Sequence, residues 1–226
     1  MTFEPVNLLA PAIWNDLLFF FIGSLVSLFS IVNPLLAAPV FVSLTQEDSV
    51  EEQRLTAKRA SISVFWILVS FFVAGSLILS FFGISIDALR ISGGLMILGS
   101  AYSMLEKKSR LQPEEEKEAE EKEDIAFSPI AMPLLSGPGA IAVIIGMTTD
   151  AKEWYYYPII FLVISLVSFS CYWALRVSGK IVERLGETMV KAFTRIMGFL
   201  LLCIGIQYIV NGVKPILIGI FKSAGV

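Results

Sequence analysis

Asn33-Pro34-Leu35-Leu36-Ala37-Ala38-Pro39 and Met132-Pro133-Leu134-Leu135-Ser136-Gly137-Pro138 are two versions of one motif. Both prolines and both leucines coincide, and small residues fill the two places between. Further along each half, Arg90-Ile91-x-Gly93 is answered by Arg195-Ile196-x-Gly198, in the same order and at a similar separation from the first motif. Two matches in register mark an internal repeat within the 226 residues.

Apolar runs surround these motifs at about 17–44, 60–83, 89–105, 126–148, 155–175 and 196–220. About 20 apolar residues of helix cross a bilayer, so each run reads as a membrane span. Each half then holds three spans. An odd number forces the second half to enter the membrane in the opposite sense, the inverted arrangement of many secondary transporters. The expected fold is an all-α polytopic membrane protein of six transmembrane helices in two inverted three-helix repeats. Residues 1–105 and 126–226 form the repeats, and 106–125 is an acidic cytoplasmic linker read as a solvated charge run.

Composition agrees. Hydrophobic residues make up 56% and charged residues 16%, against roughly a quarter charged in a soluble domain. Mean hydropathy is +0.76. No basic patch points to nucleic acid, and the net charge of −3 owes much to the acidic linker. Histidine is absent, which excludes a His-based catalyst, ligand or proton relay. Cys171 and Cys203 both fall within apolar runs and support neither a disulfide framework nor a metal site. With no nucleophile beside a base and no metal cluster, the chain does not read as an enzyme. The N-terminus lacks the positive region of a signal peptide and reads as retained.

Orientation follows from lysine and arginine. Thirteen of the seventeen lie in the connections 45–59 and 106–124 and the stretch 176–195, leaving Arg90, Lys152, Lys214 and Lys222 opposite. Those three segments are therefore expected in the cytoplasm, with both termini outside it, in the inner membrane. Trp14 and Trp154-Tyr155-Tyr156-Tyr157 suit an outer aromatic belt.

The repeated motif falls near the middle of spans 1 and 4. Proline inside a helix removes a backbone hydrogen bond and collides with the carbonyl four residues back. Span 1 as one helix would be about 42 Å long, beyond the ~30 Å hydrocarbon core. Both spans are expected to break at their Pro/Gly motifs, with half-helices beginning near Pro39 and Pro138. Backbone groups freed there must be buried in protein or line a cavity. The positive N-terminal ends of the half-helices suit a carboxylate, and the carbonyls of the preceding halves suit an ammonium or sodium ion.

No Asp, Glu, Lys or Arg sits near the middle of any span, which argues against a buried side-chain proton carrier. Asn33 beside the break is the best polar candidate, then Ser136. Gln207 and Asn211, four apart on one face of span 6, are secondary candidates or interhelical glue. Arg90 and Arg195 occupy equivalent repeat positions on opposite membrane faces, which suits gating or structural roles. The small residues of span 3 (Ser92, Gly93, Gly94, Gly99, Ser100 and Ala101) read as close helix packing.

Asn-Pro-Leu in the first span, Pro-Leu-Leu-Ser-Gly-Pro-Gly-Ala-Ile at 133–141, and Arg-Ile-Met-Gly followed by Ile-Gln-Tyr-Ile-Val-Asn-Gly at 195–212 together resemble the MarC family of prokaryotic inner-membrane proteins. The resemblance spans nearly the whole chain. It implies six spans and, through SnatA-type relatives, transport of small neutral amino acids such as glycine and alanine. It assigns substrate binding to Asn33, Pro34, Pro133, Gly137, Pro138 and Gly139; Leu35 and Ser136 lie between them in the same motifs. The expected function is a secondary transporter of such zwitterions by alternating access, without cofactor or resident metal, coupled to Na+ or H+. Sodium is the easier ion to accommodate. The alternatives are an exporter of broader range or a non-transporting membrane protein, and homo-oligomerisation is left open.

Overall fold

A computed structural model describes residues 11–105, 126–151 and 153–223, and the acidic linker at 106–125 lies outside them. Helices α1 (Pro11–Val32), α2 (Pro34–Leu44), α3 (Val50–Phe82) and α4 (Ile86–Leu105) form the first half. The second half holds a π-helical segment, π1 (Ala126–Leu135), then α5 (Pro138–Asp150), α6 (Tyr156–Arg176) and α7 (Ser178–Ser223). The described residues contain no strand.

Five described segments are long and apolar enough to cross a membrane: Ile13–Leu44, Val50–Phe82, Ile86–Leu105, Tyr156–Arg176 and Ala192–Lys222. Helix α5 is apolar but shorter, at 13 residues. Large apolar side chains such as Phe19, Val73, Leu77 and Phe81 are exposed on the outer surface. In water these would be a liability; in lipid they are the solvated face.

Several helices start earlier in the chain than the apolar runs they contain. Helix α3 begins in the charged stretch at Val50, where Ser49 and Glu52 form a reciprocal capping box. Helix α7 begins at Ser178, well before the apolar run at 196, and leaves helical geometry at Gly186 (φ 66°, ψ 161°).

The first interruption differs in register from expectation. Helix α1 ends at Val32, and Asn33 takes the left-handed conformation (φ 44°, ψ 68°) before α2 starts at Pro34. Helix α2 thus begins at Pro34 and not near Pro39, which lies inside it. The Pro34 ring disfavours the α conformation at residue 33, and asparagine tolerates the left-handed region better than most residues. Asn33 is the one non-glycine with positive φ among the described residues.

In the second half, the stretch carrying Pro129 and Pro133 is π-helical. Proline has no N–H to donate to a preceding carbonyl, so two prolines in this stretch interrupt the regular α-helical ladder. The wide turn closes with the Ser136 N–H donating to the Ala131 carbonyl five residues back, at 2.8 Å. Gly137 is extended (φ −65°, ψ 172°), and α5 starts at Pro138.

Packing between elements is paired. Helix α4 packs along α7, and α3 along α6. The broken pair α1/α2 lies against α6, and the broken pair π1/α5 lies against α3. Helix α2 also packs on α7, as α5 does on α4. The core runs through these contacts, with Leu28, Val32, Phe41, Leu68, Ile144 and Ile164 buried.

Candidate functional site

A cavity of about 330 Å³ lies where π1 gives way to α5. Its wall is made by Leu134, Leu135 and Gly137–Ala140, by the α4 face from Leu95 to Ser103, and by Ile31 and Leu201. Ile31 stands two residues before the left-handed Asn33. A Cβ on Gly139 would lie 3.0 Å from Ile97 Cγ1 and 3.6 Å from Ile31 Cγ2. The interruption in the second half is thus wedged against the chain leading into the first.

The polar chemistry of the wall is sparse. Ser100 Oγ donates to the Met96 carbonyl at 3.2 Å, and Ser103 Oγ to the Ser100 carbonyl at 2.8 Å. Serines bonded in this way keep oxygen lone pairs free to accept from a guest. At the other side stands the start of α5. Pro138 has no N–H, and Ala140 and Ile141 both donate to the Gly137 carbonyl. The Gly139 amide is among the helix-start donors that no preceding turn can satisfy. Among the described residues, no ionisable or aromatic side chain lines the cavity. Such a wall takes a small guest without net charge, with donors at one end and acceptors at the other.

Two predicted residues are buried beside these elements without satisfaction. Among the described residues, neither atom of the Asn33 amide, 1% exposed, has a partner, and the hydroxyl of the fully buried Ser136 is unpaired. Each orphaned group costs about 1–3 kcal/mol, so its retention calls for a reason.

Of the other predicted residues, Gly137, Pro138 and Gly139 line the cavity, while Asn33, Pro34, Leu35 and Ser136 do not. Pro34 is buried and Leu35 half-buried. Pro133 lies within π1. Gln207 and Asn211 are exposed and bond each other, Nε2 to Oδ1 at 2.8 Å, rather than a neighbouring helix. Arg90 ion-pairs with Asp87 and Asp150, whereas Arg195 is exposed. Among the described residues no group of three or more Cys, Asp or Glu is placed to hold a metal.

Sequence reading missed the cavity role of Gly99, Ser100 and Ser103, because small residues on a membrane helix signal close packing and cavity lining alike. Ser168 on α6, a further buried hydroxyl without a partner among the described residues, has no sequence signal that sets it apart from other serines.

An all-helical bundle with lipid-facing apolar surfaces and several helices of spanning length defines an integral membrane protein. The profile described as MarC family integral membrane protein matches residues 18–217, and the chain belongs to that family. It is 38% identical over 209 residues to the UPF0056 inner membrane protein MarC of Salmonella typhimurium, covering 85% of this chain and 93% of the relative. It is also 38% identical over 196 residues to a UPF0056 membrane protein of Buchnera aphidicola, covering 87% and 92%. No solved structure matches.

Proposed function

We propose that the protein is a secondary transporter of small neutral amino acids that works by alternating access between two inverted halves. The reading counts α1/α2 and π1/α5 as one broken crossing each, giving six crossings. The lysine and arginine distribution then puts both termini outside the cytoplasm. The observation that carries the reading is the paired packing. Exchanging the halves turns the contact of α1/α2 with α6 into that of π1/α5 with α3. It likewise turns α2 on α7 into α5 on α4, and maps α3–α6 and α4–α7 onto themselves. Such a relation supports an inverted repeat, whose use in transporters is to give two like conformations open to opposite sides.

The cavity supports the substrate class. The start of α5 offers N–H donors and a positive dipole end for a carboxylate. The Ser100 and Ser103 oxygens offer acceptors for an ammonium. Glycine and alanine fit this polarity and a volume at the low end of ligand pockets. The absence of aromatic lining among the described residues weighs against an exporter of larger drugs: Phe19 is 75% exposed, and the Phe20 ring packs at a tilt on Tyr156, 4.6 Å between centroids. Sodium coupling is proposed over proton coupling, since no Asp, Glu, Lys or Arg sits near the middle of any span, and Pro39 inside α2 withholds an N–H from the Leu35 carbonyl.

Uptake of radiolabelled glycine into liposomes holding the purified protein tests the reading, with sodium and proton gradients imposed separately. Gradient-driven uptake competed by alanine, and not by a large cationic drug, is the expected result. No uptake under either gradient by folded protein removes the substrate assignment.

A further inference from the structure

We propose that Arg90 and Asp150 form a latch closing one end of the transport path, and that Arg195 with the acidic segment 46–51 forms its counterpart at the other end. The role in transport rests on the reading above, but the latch is argued from packing and charge.

Helix α5 runs from the interruption at Gly137 to Asp150. At its far end Asp150 accepts a hydrogen bond from Arg90 on α4, and Arg90 also reaches Asp87 one turn back at 3.4 Å. The Arg90 side chain is only 17% exposed. Behind this pair the path is filled. A Cβ on Gly75 would lie 2.5 Å from Ile145 Cγ1, and one on Gly146 would lie 3.2 Å from the Tyr208 hydroxyl. Gly93 abuts Ala142 directly. Every residue from Ala142 to Thr148 is buried. The cavity lies beyond the interruption, along the part of α4 that runs away from Arg90.

The opposite end carries the same parts, unassembled. Arg195 is the repeat mate of Arg90; it is exposed and makes no ion pair among the described residues. Aligning Pro39 with Pro138 makes Glu51 the mate of Asp150, and aligning the helix starts Pro34 and Pro138 makes it Gln46. The intervening segment contains Glu47, Asp48 and Glu51. Among the described residues Glu51 reaches only Arg54 of its own helix, at 3.8 Å. One latch is thus closed and its mate open, and the cavity lies on the open side. Exchanging the conformations of the halves would release Arg90 from Asp150 and bring Arg195 to the acidic segment. A partly exposed ion pair biases such an equilibrium without locking it.

The test is thiol accessibility in the full-length protein. Exposed Cys203 is replaced by alanine, and Cys171, fully buried, is kept as a silent thiol. Thr148→Cys reports on the sealed side and Ser100→Cys on the cavity, each with a membrane-impermeant thiol reagent applied to vesicles from either face. Adding Asp150→Asn is expected to speed labelling of Thr148→Cys about tenfold while slowing that of Ser100→Cys, as a population shift requires. Unfolding would speed both. Exchanging the charges with Arg90→Asp and Asp150→Arg together is expected to restore slow labelling at 148. The proposal is overturned if Asp150→Asn leaves both rates unchanged, accelerates both, or if the exchange fails to reverse the effect. Glycine uptake by vesicles holding the Cys203→Ala protein without the reporter cysteines separates the two readings. Labelling that shifts without any uptake sinks the substrate reading and keeps the latch, and uptake with unshifted labelling does the reverse.

Discussion

Gly94 and Gly205 face each other across the α4–α7 contact with no room for a methyl group on either. A Cβ on Gly94 would come within 2.7 Å of the Gly205 carbonyl oxygen, and one on Gly205 within 3.0 Å of the Gly94 carbonyl oxygen. The reciprocity continues along the helices: Gly212 lies over the Asp87 carbonyl, and Gly198 lies 3.3 Å, by its added Cβ, from the Ala101 carbonyl. The two helices therefore run antiparallel at a separation that glycine permits. In lipid, where apolar contact gains little over solvation by acyl chains, this close backbone approach is a main source of helix association.

Gly94→Ala and Gly205→Ala are each expected to destabilise the fold by roughly 1–3 kcal/mol, the usual range for forcing atoms into a packed contact. Gly219→Ala on the same helix α7 is expected to do the opposite. A Cβ there meets nothing within 4 Å, so the gain in helix preference of about 0.5–1 kcal/mol is uncompensated. Thermal unfolding in detergent compares the three. Equal melting temperatures would refute the close-packing account.

Gly99 makes a different prediction although it sits on the same helix as Gly94. It lines the cavity, and a Cβ there meets nothing within 4 Å. Gly99→Leu is expected to leave thermal stability within about 0.5 kcal/mol, like most substitutions that disturb no packing. Glycine uptake should nevertheless fall at least about tenfold, because the added side chain occupies part of a small cavity. A matched loss of stability and uptake would mean that residue 99 packs and does not line the path.

The contrast between Gly94 and Gly99 also explains what was legible in the sequence. Runs of some 20 apolar residues announce helices in lipid because little else satisfies a backbone there, so the helical class and most span positions could be read directly. The paired Pro-Leu-Leu motifs pointed to Asn33 and Ser136, which the fold buries with unpaired polar atoms. The register of the first interruption was not legible. Pro34 and Pro39 have the same local chemistry, and only packing decides which starts a helix. The division of the span 3 small residues into packers and cavity walls was hidden for the same reason.

Asn33 is expected to show a conflict between stability and function. Its backbone is left-handed, and both polar atoms of its side chain are buried without partners among the described residues. Asn33→Gly keeps the conformation without a Cβ penalty and removes the orphaned amide, so stability should rise by about 1 kcal/mol or more. Uptake should fall if the amide contacts a solute or ion during the cycle. A variant that is more stable and equally active would leave Asn33 without a role in transport.

Pro39 tests the relation between the halves most directly. The motif aligns Pro34 with Pro133 and Pro39 with Pro138, yet α2 starts at the first proline of its motif and α5 at the second. Equivalent sequences thus adopt different conformations, as the proposed alternating access requires of two halves in any one state. Exchange of those conformations would move the first interruption from Asn33 to Ala38, just before Pro39. Pro39→Ala restores an N–H that can reach the Leu35 carbonyl and removes a ring from the helix interior, where proline costs about 3 kcal/mol. The variant is therefore expected to melt higher while transporting more slowly, held in the conformation with Arg90 on Asp150. In the labelling assay its Thr148→Cys should become slower still. Faster or unchanged transport in a stabilised Pro39→Ala protein would mean that the second conformation does not break at this proline, and that the mismatch between the motifs is a fixed asymmetry of the fold.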